Sequence, residues 1–198
     1  MKIVENHLDV INELMNIGIG DAASMLNEMV NCHVTLMTPK TNVVSREVLK
    51  DSLGESLSHE LSMVEMRFSG SMNGVANLLF PLESGKKLTN ILSDEFEDED
   101  YNSLKAGTLT EVGNIILNSV LASFSNQMNL SLEYSIPMFR DLDLDQYAAQ
   151  ELFEPEKGSE IFLCEVNFSA EDIDIDGQVI IVFDVLSLEK MFQNLGVS

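Results

Sequence analysis

Along the first thirty residues the apolar positions recur at helical spacing. At about 100° per residue, Leu8, Ile11, Met15, Ala22, Leu26 and Met29 gather on one side. Asp9, Glu13 and Asn16, at i, i+4 and i+7, form a narrow polar stripe on the other side. A solvated helix face accounts for such a stripe by itself. The stripe recurs, however: Glu111 follows Glu13 by 98 positions, and Asn114 follows Asn16 by the same 98. That offset also pairs Ala22 with Val120, Leu26 with Phe124, Asn31 with Asn129, Val34 with Leu132 and Pro39 with Pro137. Helix, strand and closing proline repeat in register, which marks an internal duplication.

The pattern predicts a first helix from about 5 to 30 and an extended strand over 33 to 44, interrupted at Pro39. A short helix capped by Ser45 is expected over 45 to 53. Alternation over 61 to 68, a turn at 69 to 74 and a buried run at 75 to 80 predict a hairpin. Pro81 suits the first turn of a helix reaching about Leu92. After an acidic connector, 94 to 100, the second copy predicts a helix over 101 to 128 and a strand over 130 to 138. A polar segment with a short helix (140 to 158), a hairpin (160 to 168 with 178 to 183) and a terminal helix (186 to 195) follow. Gly74 and Gly177 are read as equivalent turn residues, 103 positions apart. The expected fold is α+β: one internally duplicated, pseudo-twofold domain, residues 1 to 198, built from repeats 1 to 98 and 99 to 198. A mainly antiparallel sheet carries two long motif-bearing helices.

Composition narrows the function classes. A net charge of −22, from 33 acidic and 11 basic residues, argues against nucleic acid and against anionic membrane surfaces. No apolar run reaches transmembrane length and no signal region opens the chain, so a cytoplasmic protein is expected. Cys32 and Cys164 are far apart and sit in apolar stretches, as reduced core thiols would. The three His (His7, His33 and His59) show no ligand spacing. Asp172, Asp174, Asp176 and Gly177 imitate the start of a calcium loop, but Phe183 stands where the closing bidentate Glu belongs. A solvated acidic hairpin loop is the expectation, and calcium binding there should be weak at best. Gly18 and Gly20 each cost a helix about 1 kcal/mol relative to Ala. Close backbone approach would justify both, Gly18 toward the core and Gly20 on the polar stripe.

The paired motifs, Asp9-x3-Glu13-x2-Asn16-x-Gly18 and Glu111-x-Gly113-Asn114, resemble those of the CheC branch of the CheC/CheX/FliY response-regulator phosphatases. The resemblance spans nearly the whole chain and implies the same duplicated architecture. The family usually has Asp or Ser four residues before the Glu; Asp9 fits, whereas Gly107 holds that place in the second motif. By this resemblance Glu13, Asn16, Glu111 and Asn114 are the catalytic residues, with Asp9, Asn12 and Gly20 contacting the partner. The partner is a phosphorylated CheY-like response regulator, whose aspartyl phosphate is hydrolysed. No cofactor belongs to the chain itself; Mg²⁺ is expected on the regulator.

Residue chemistry is compatible with this role. A Glu and an Asn at i, i+3 include no Ser or Cys nucleophile, base or metal. An amide can hold a water, and a carboxylate can pair with a partner's lysine. Such a site is half an active site and suits a reactive acyl phosphate supplied by another protein. The alternative is a non-catalytic adaptor that docks a regulator or a CheD-like deamidase. Intact Glu/Asn pairs in both repeats favour the enzyme, and a monomer is expected.

Overall fold

The computed structural model describes residues 5–31, 33–37, 40–45, 60–93, 100–149, 160–184 and 192. In chain order they form α1 (Glu5–Val30), β1 (Thr35–Leu36), β2 (Lys40–Ser45), β3 (Glu60–Gly70) and β4 (Gly74–Pro81). Then come α2 (Leu82–Leu92), α3 (Tyr101–Gln127), β5 (Leu132–Tyr134), β6 (Met138–Asp143) and α4 (Leu144–Ala149). β7 (Glu160–Ala170) and β8 (Ile175–Asp184) close the list. The fold is α+β, and every strand pairing in the sheet is antiparallel.

One sheet carries both halves, in the order β1/β2, β7, β8, β4, β3, β5/β6. Each early strand pairs with the hairpin of the other half: β2 with β7, and β6 with β3. The register is symmetric. Lys40 faces Glu165, and Met138, 98 residues later, faces Glu65. Thr35 faces Ser169, and Glu133 faces Ser69. At the centre Asn77 faces Ile180, its own counterpart at the offset of 103. A local twofold therefore passes between β4 and β8 at this pair, normal to the sheet as antiparallel pairing requires. It relates α1 to α3 and makes them antiparallel.

The two long helices also end alike. Asn31 and Asn129 both adopt left-handed backbone, with φ of 50° and 51°. This conformation closes a helix C-terminus, and Asn tolerates it better than most residues. Leu130 N–H then donates to Ser125 carbonyl at 2.8 Å, which satisfies one of the last-turn acceptors. At the other end of α3 the Asp100 carboxylate accepts from Ser103 N–H at 3.4 Å and from its hydroxyl.

The core lies between the helices and one sheet face. Ile11, Met15, Leu26, Leu117, Val120 and Phe124 pack on Val64, Met66, Leu78 and Phe183. Gly113 lets α3 settle on β3, because a Cβ there would collide with Val64. A second apolar cluster on the opposite face includes Leu61, Met63, Val75, Leu79, Leu163 and Tyr147 of α4. Lys105 of α3 is buried, and its ammonium reaches the Asp141 carboxylate on β6 at 2.8 Å, with Ser62 donating to the other oxygen at 2.7 Å. This pairing, with the Phe139 ring centroid 5.6 Å from the ammonium, offsets the cost of burying that charge and fixes the start of α3 against the sheet.

Several expectations need correction. The strand expected over 130 to 138 is two strands, and β6 continues to Asp143 into the segment read as polar. Charged Arg140, Asp141 and Asp143 hide its alternation, although Leu142 is buried on one face and Phe139 packs on the other. The acidic turn is shorter than expected: Asp176 and Gly177 already lie in β8, and the chain reverses through a 3₁₀ turn at Glu171–Ile173. Gly74 and Gly177 are thus strand residues. Each lies opposite a phenylalanine, Phe68 or Phe168, whose ring occupies the space of the missing side chain. Pro81 ends β4 and caps α2 rather than entering its first turn. Ser45 is the last residue of β2. The helices expected over 45 to 53 and 186 to 195, the connector 94 to 99 and Cys32 fall wholly or largely outside the described residues.

Candidate functional site

α1 presents Asp9, Glu13, Asn16 and Gly20 to solvent, while Ile11, Leu14, Met15, Gly18 and Ile19 turn inward. The stripe survives in three dimensions because the apolar arc of this helix is wide and leaves only one exposed strip. On α3, Glu111 is exposed and Asn114 half-buried, with Val112 and Gly113 inward. The twofold through Asn77 and Ile180 places the two Glu/Asn pairs on the same outer face of the helix layer. Among the described residues the side chains of Glu13, Asn16 and Glu111 make no hydrogen bond or ion pair. Their hydrogen-bonding capacity points at solvent.

The two pairs differ in one respect. Asn118 donates from Nδ2 to the Asn114 backbone carbonyl at 2.7 Å and to the Asn114 side-chain Oδ1 at 2.8 Å. Asn114 is therefore held, whereas Asn16 has no such bond among the described residues. The position 98 residues before Asn118 is Gly20. Asn118 escaped the sequence reading, although its i+4 spacing from Asn114 and its replacement by glycine in the first half carried the signal.

Of the residues expected to contact a partner, Asp9 is exposed. Asn12 is half-buried, and its Oδ1 is buried without a hydrogen-bond partner, so it is turned away from the exposed strip. The two glycines separate. A Cβ on Gly18 would meet Val120 O at 3.0 Å and Ser123 Cβ at 3.1 Å, so α1 and α3 touch backbone to backbone there. A Cβ on Gly20 would have nothing within 4 Å, and the position is open to solvent. Gly107 is equally open. Beside the motifs a groove runs between α1 and α3, lined by Ile17, Asp21, Met25, Ser119 and Ser123. Ile17 and Met25 are 39% and 44% exposed, unusual for large apolar side chains on a helix with so broad a buried face.

No cluster of three metal-ligating side chains occurs among the described residues. The acidic hairpin is used otherwise. Asp174 adopts positive φ and pairs with Lys87 of α2, and Ser84 accepts from Asp176 N–H at 3.2 Å. These contacts tie the turn to α2. Cys164 is buried, and burial pushes its thiol far above the usual range, which leaves it inert. Among the described residues no helix is long and apolar enough to cross a membrane.

A doubled antiparallel sheet under two antiparallel helices, each showing Glu-x-x-Asn to solvent, defines a recognisable class. The CheC-like family model matches residues 7–43, which include the first motif. The chain is similar to the CheY-P phosphatase CheC of Bacillus subtilis (strain 168), 23% identical over 99% of this chain and 97% of the relative. Among solved structures it resembles Thermotoga maritima FliY, with a TM-score of 0.71 and 20% identity over 98% of this chain and 97% of that one. It also resembles a chain in the CheX–CheY–BeF3–Mg²⁺ complex of Borrelia burgdorferi, with a TM-score of 0.53 and 24% identity, covering 85% and 97%. These similarities bear out the resemblance to the CheC/CheX/FliY proteins that the paired motifs carry.

Proposed function

We propose that the protein accelerates hydrolysis of the aspartyl phosphate on a CheY-like response regulator. The observation that carries this reading is the pair of Glu/Asn sets on the outer face of the helix layer, three of the four side chains unengaged among the described residues. A similar protein is named as a CheY-P phosphatase, and a structural neighbour was solved with CheY. The groove beside the motifs, with exposed Ile17 and Met25, supplies apolar area for docking a protein partner.

In this reading the regulator brings the reactive bond and its own Mg²⁺. Glu13 or Glu111 pairs with a cationic side chain of the regulator. Asn16 or Asn114 holds a water in line with phosphorus, accepting from it at Oδ1 and donating through Nδ2. The water oxygen bonds to phosphorus, the bond from phosphorus to the aspartyl oxygen breaks, and the aspartate leaves as carboxylate. The water's protons pass to the departing inorganic phosphate and solvent. No group on this chain changes covalently, as in other phosphoryl transfers dominated by positioning.

The test is to phosphorylate a CheY-type regulator with acetyl phosphate, remove the donor, and follow phosphate release with and without this protein. Catalytic acceleration at substoichiometric protein supports the reading. Saturable binding with no acceleration would leave the adaptor, for a regulator or a CheD-like deamidase, in its place.

A further inference from the structure

We propose that Asn118 is a positioning residue that pre-sets the Asn114 amide, and that the two sites therefore differ in turnover. This rests on the water-orienting reading of Asn16 and Asn114. An exposed Asn side chain rotates freely about two torsions even beside a docked partner, and ordering it around the attacking water in the transition state costs conformational entropy. On α3 that ordering is already done. Asn118 sits one turn beyond Asn114 on the same face and spans both of its acceptors, the backbone carbonyl at 2.7 Å and Oδ1 at 2.8 Å.

The geometry leaves the working part of the amide available. Oδ1 has two lone pairs, of which Asn118 takes one; the second lone pair and both Nδ2 protons remain for a water or a phosphoryl oxygen. Donation into Oδ1 also fixes which end of the Asn114 amide faces the helix and which faces outward. Asn16 has no such partner, because Gly20 occupies the corresponding place and offers no side chain. The difference is confined to the amide. It should change the rate of the bound complex more than the affinity that forms it.

Two reciprocal variants test this, each in a background with a single working site. In Asn16→Ala only the α3 site remains, and adding Asn118→Ala should lower the maximal rate about three- to tenfold, the equivalent of ordering one such side chain. The regulator concentration giving half-maximal rate should stay unchanged. In Asn114→Ala only the α1 site remains. Adding Gly20→Asn there should raise the maximal rate by a similar factor, since the position is open and accepts a side chain without collision. That gain cannot come from a damaged fold.

Unchanged maximal rates in both series, or an effect confined to the half-saturating concentration, would overturn the inference and leave the phosphatase reading standing. So would an inactive Asn16→Ala parent beside an active Asn114→Ala parent. If neither parent and not the unaltered protein accelerates phosphate loss, the phosphatase reading fails and this inference with it.

Discussion

Gly18 meets Val120 so closely that a Cβ on the glycine would stand 3.0 Å from the valine carbonyl oxygen. This contact sets how near the two motif-bearing helices lie. Gly18→Val should push them apart and cost about 1–3 kcal/mol, as overpacking does. Gly20→Ala, one turn-fraction away but open on all sides, should instead stabilise by about 0.5–1 kcal/mol through helix propensity. Denaturant midpoints of the two variants check the contrast. Stabilisation by both would mean that helix propensity alone governs the two positions.

Glu65 and Glu165 occupy matching places on the sheet face away from the long helices, and both are buried. Glu65 accepts from Arg67 Nε at 3.0 Å. For Glu165, burial raises the carboxyl above its ordinary value of 4.5, with Lys40 opposing the rise. Folded protein then holds this proton more tightly than unfolded chain does. Stability from this group is fully present below the unfolded value and is lost as pH rises through the folded one. Glu165→Gln should therefore be more stable than the parent at neutral pH, with the gain vanishing below about pH 4. Thermal unfolding at the two pH values reads it directly. An advantage equal at both would show that charge burial is not its cause.

The two motifs should also differ in affinity. Asp9 gives the α1 face an exposed carboxylate where the α3 face has Gly107. A charge-assisted contact is worth about 1.5–3 kcal/mol when desolvated and much less at a wet rim. Asn16→Ala, which leaves only the α3 site, should need more phosphorylated regulator for half-maximal rate than Asn114→Ala. The reverse order would show that the open Gly107 helps docking more than Asp9 does.

Much of this could be read in the sequence, for physical reasons that particular residues make plain. The α1 stripe was legible because a helix repeats every 3.6 residues, and a long amphipathic run makes the inward and outward sets unambiguous. Asn31 and Asn129 were legible as a pair at the 98-residue offset, and both adopt a backbone conformation that few residues accept. What stayed hidden was non-local. The exchange of β2 and β6 between halves depends on pairing across the chain, which periodicity does not encode. β6 was missed because Asp141 is charged for the sake of buried Lys105, a partner 36 positions away. Gly177 looked like a turn residue because the Phe168 ring that fills its space comes from the neighbouring strand. Asn118 was overlooked because its role lies in a bond to Asn114, and the motif alone does not show that bond.

The central claim is that the Asn amides orient the attacking water, and one variant tests it most directly. Asn16→Ala combined with Asn114→Ala removes both amides from positions that are exposed or half-buried and lie outside the core. Thermal stability should change by no more than about 0.5 kcal/mol at Asn16, and somewhat more at Asn114 through its lost bond to Asn118. Phosphate release from a phosphorylated CheY-type regulator should fall to the regulator's own spontaneous rate, while binding through Glu13 and Glu111 persists. Full acceleration by the folded double variant would contradict the account.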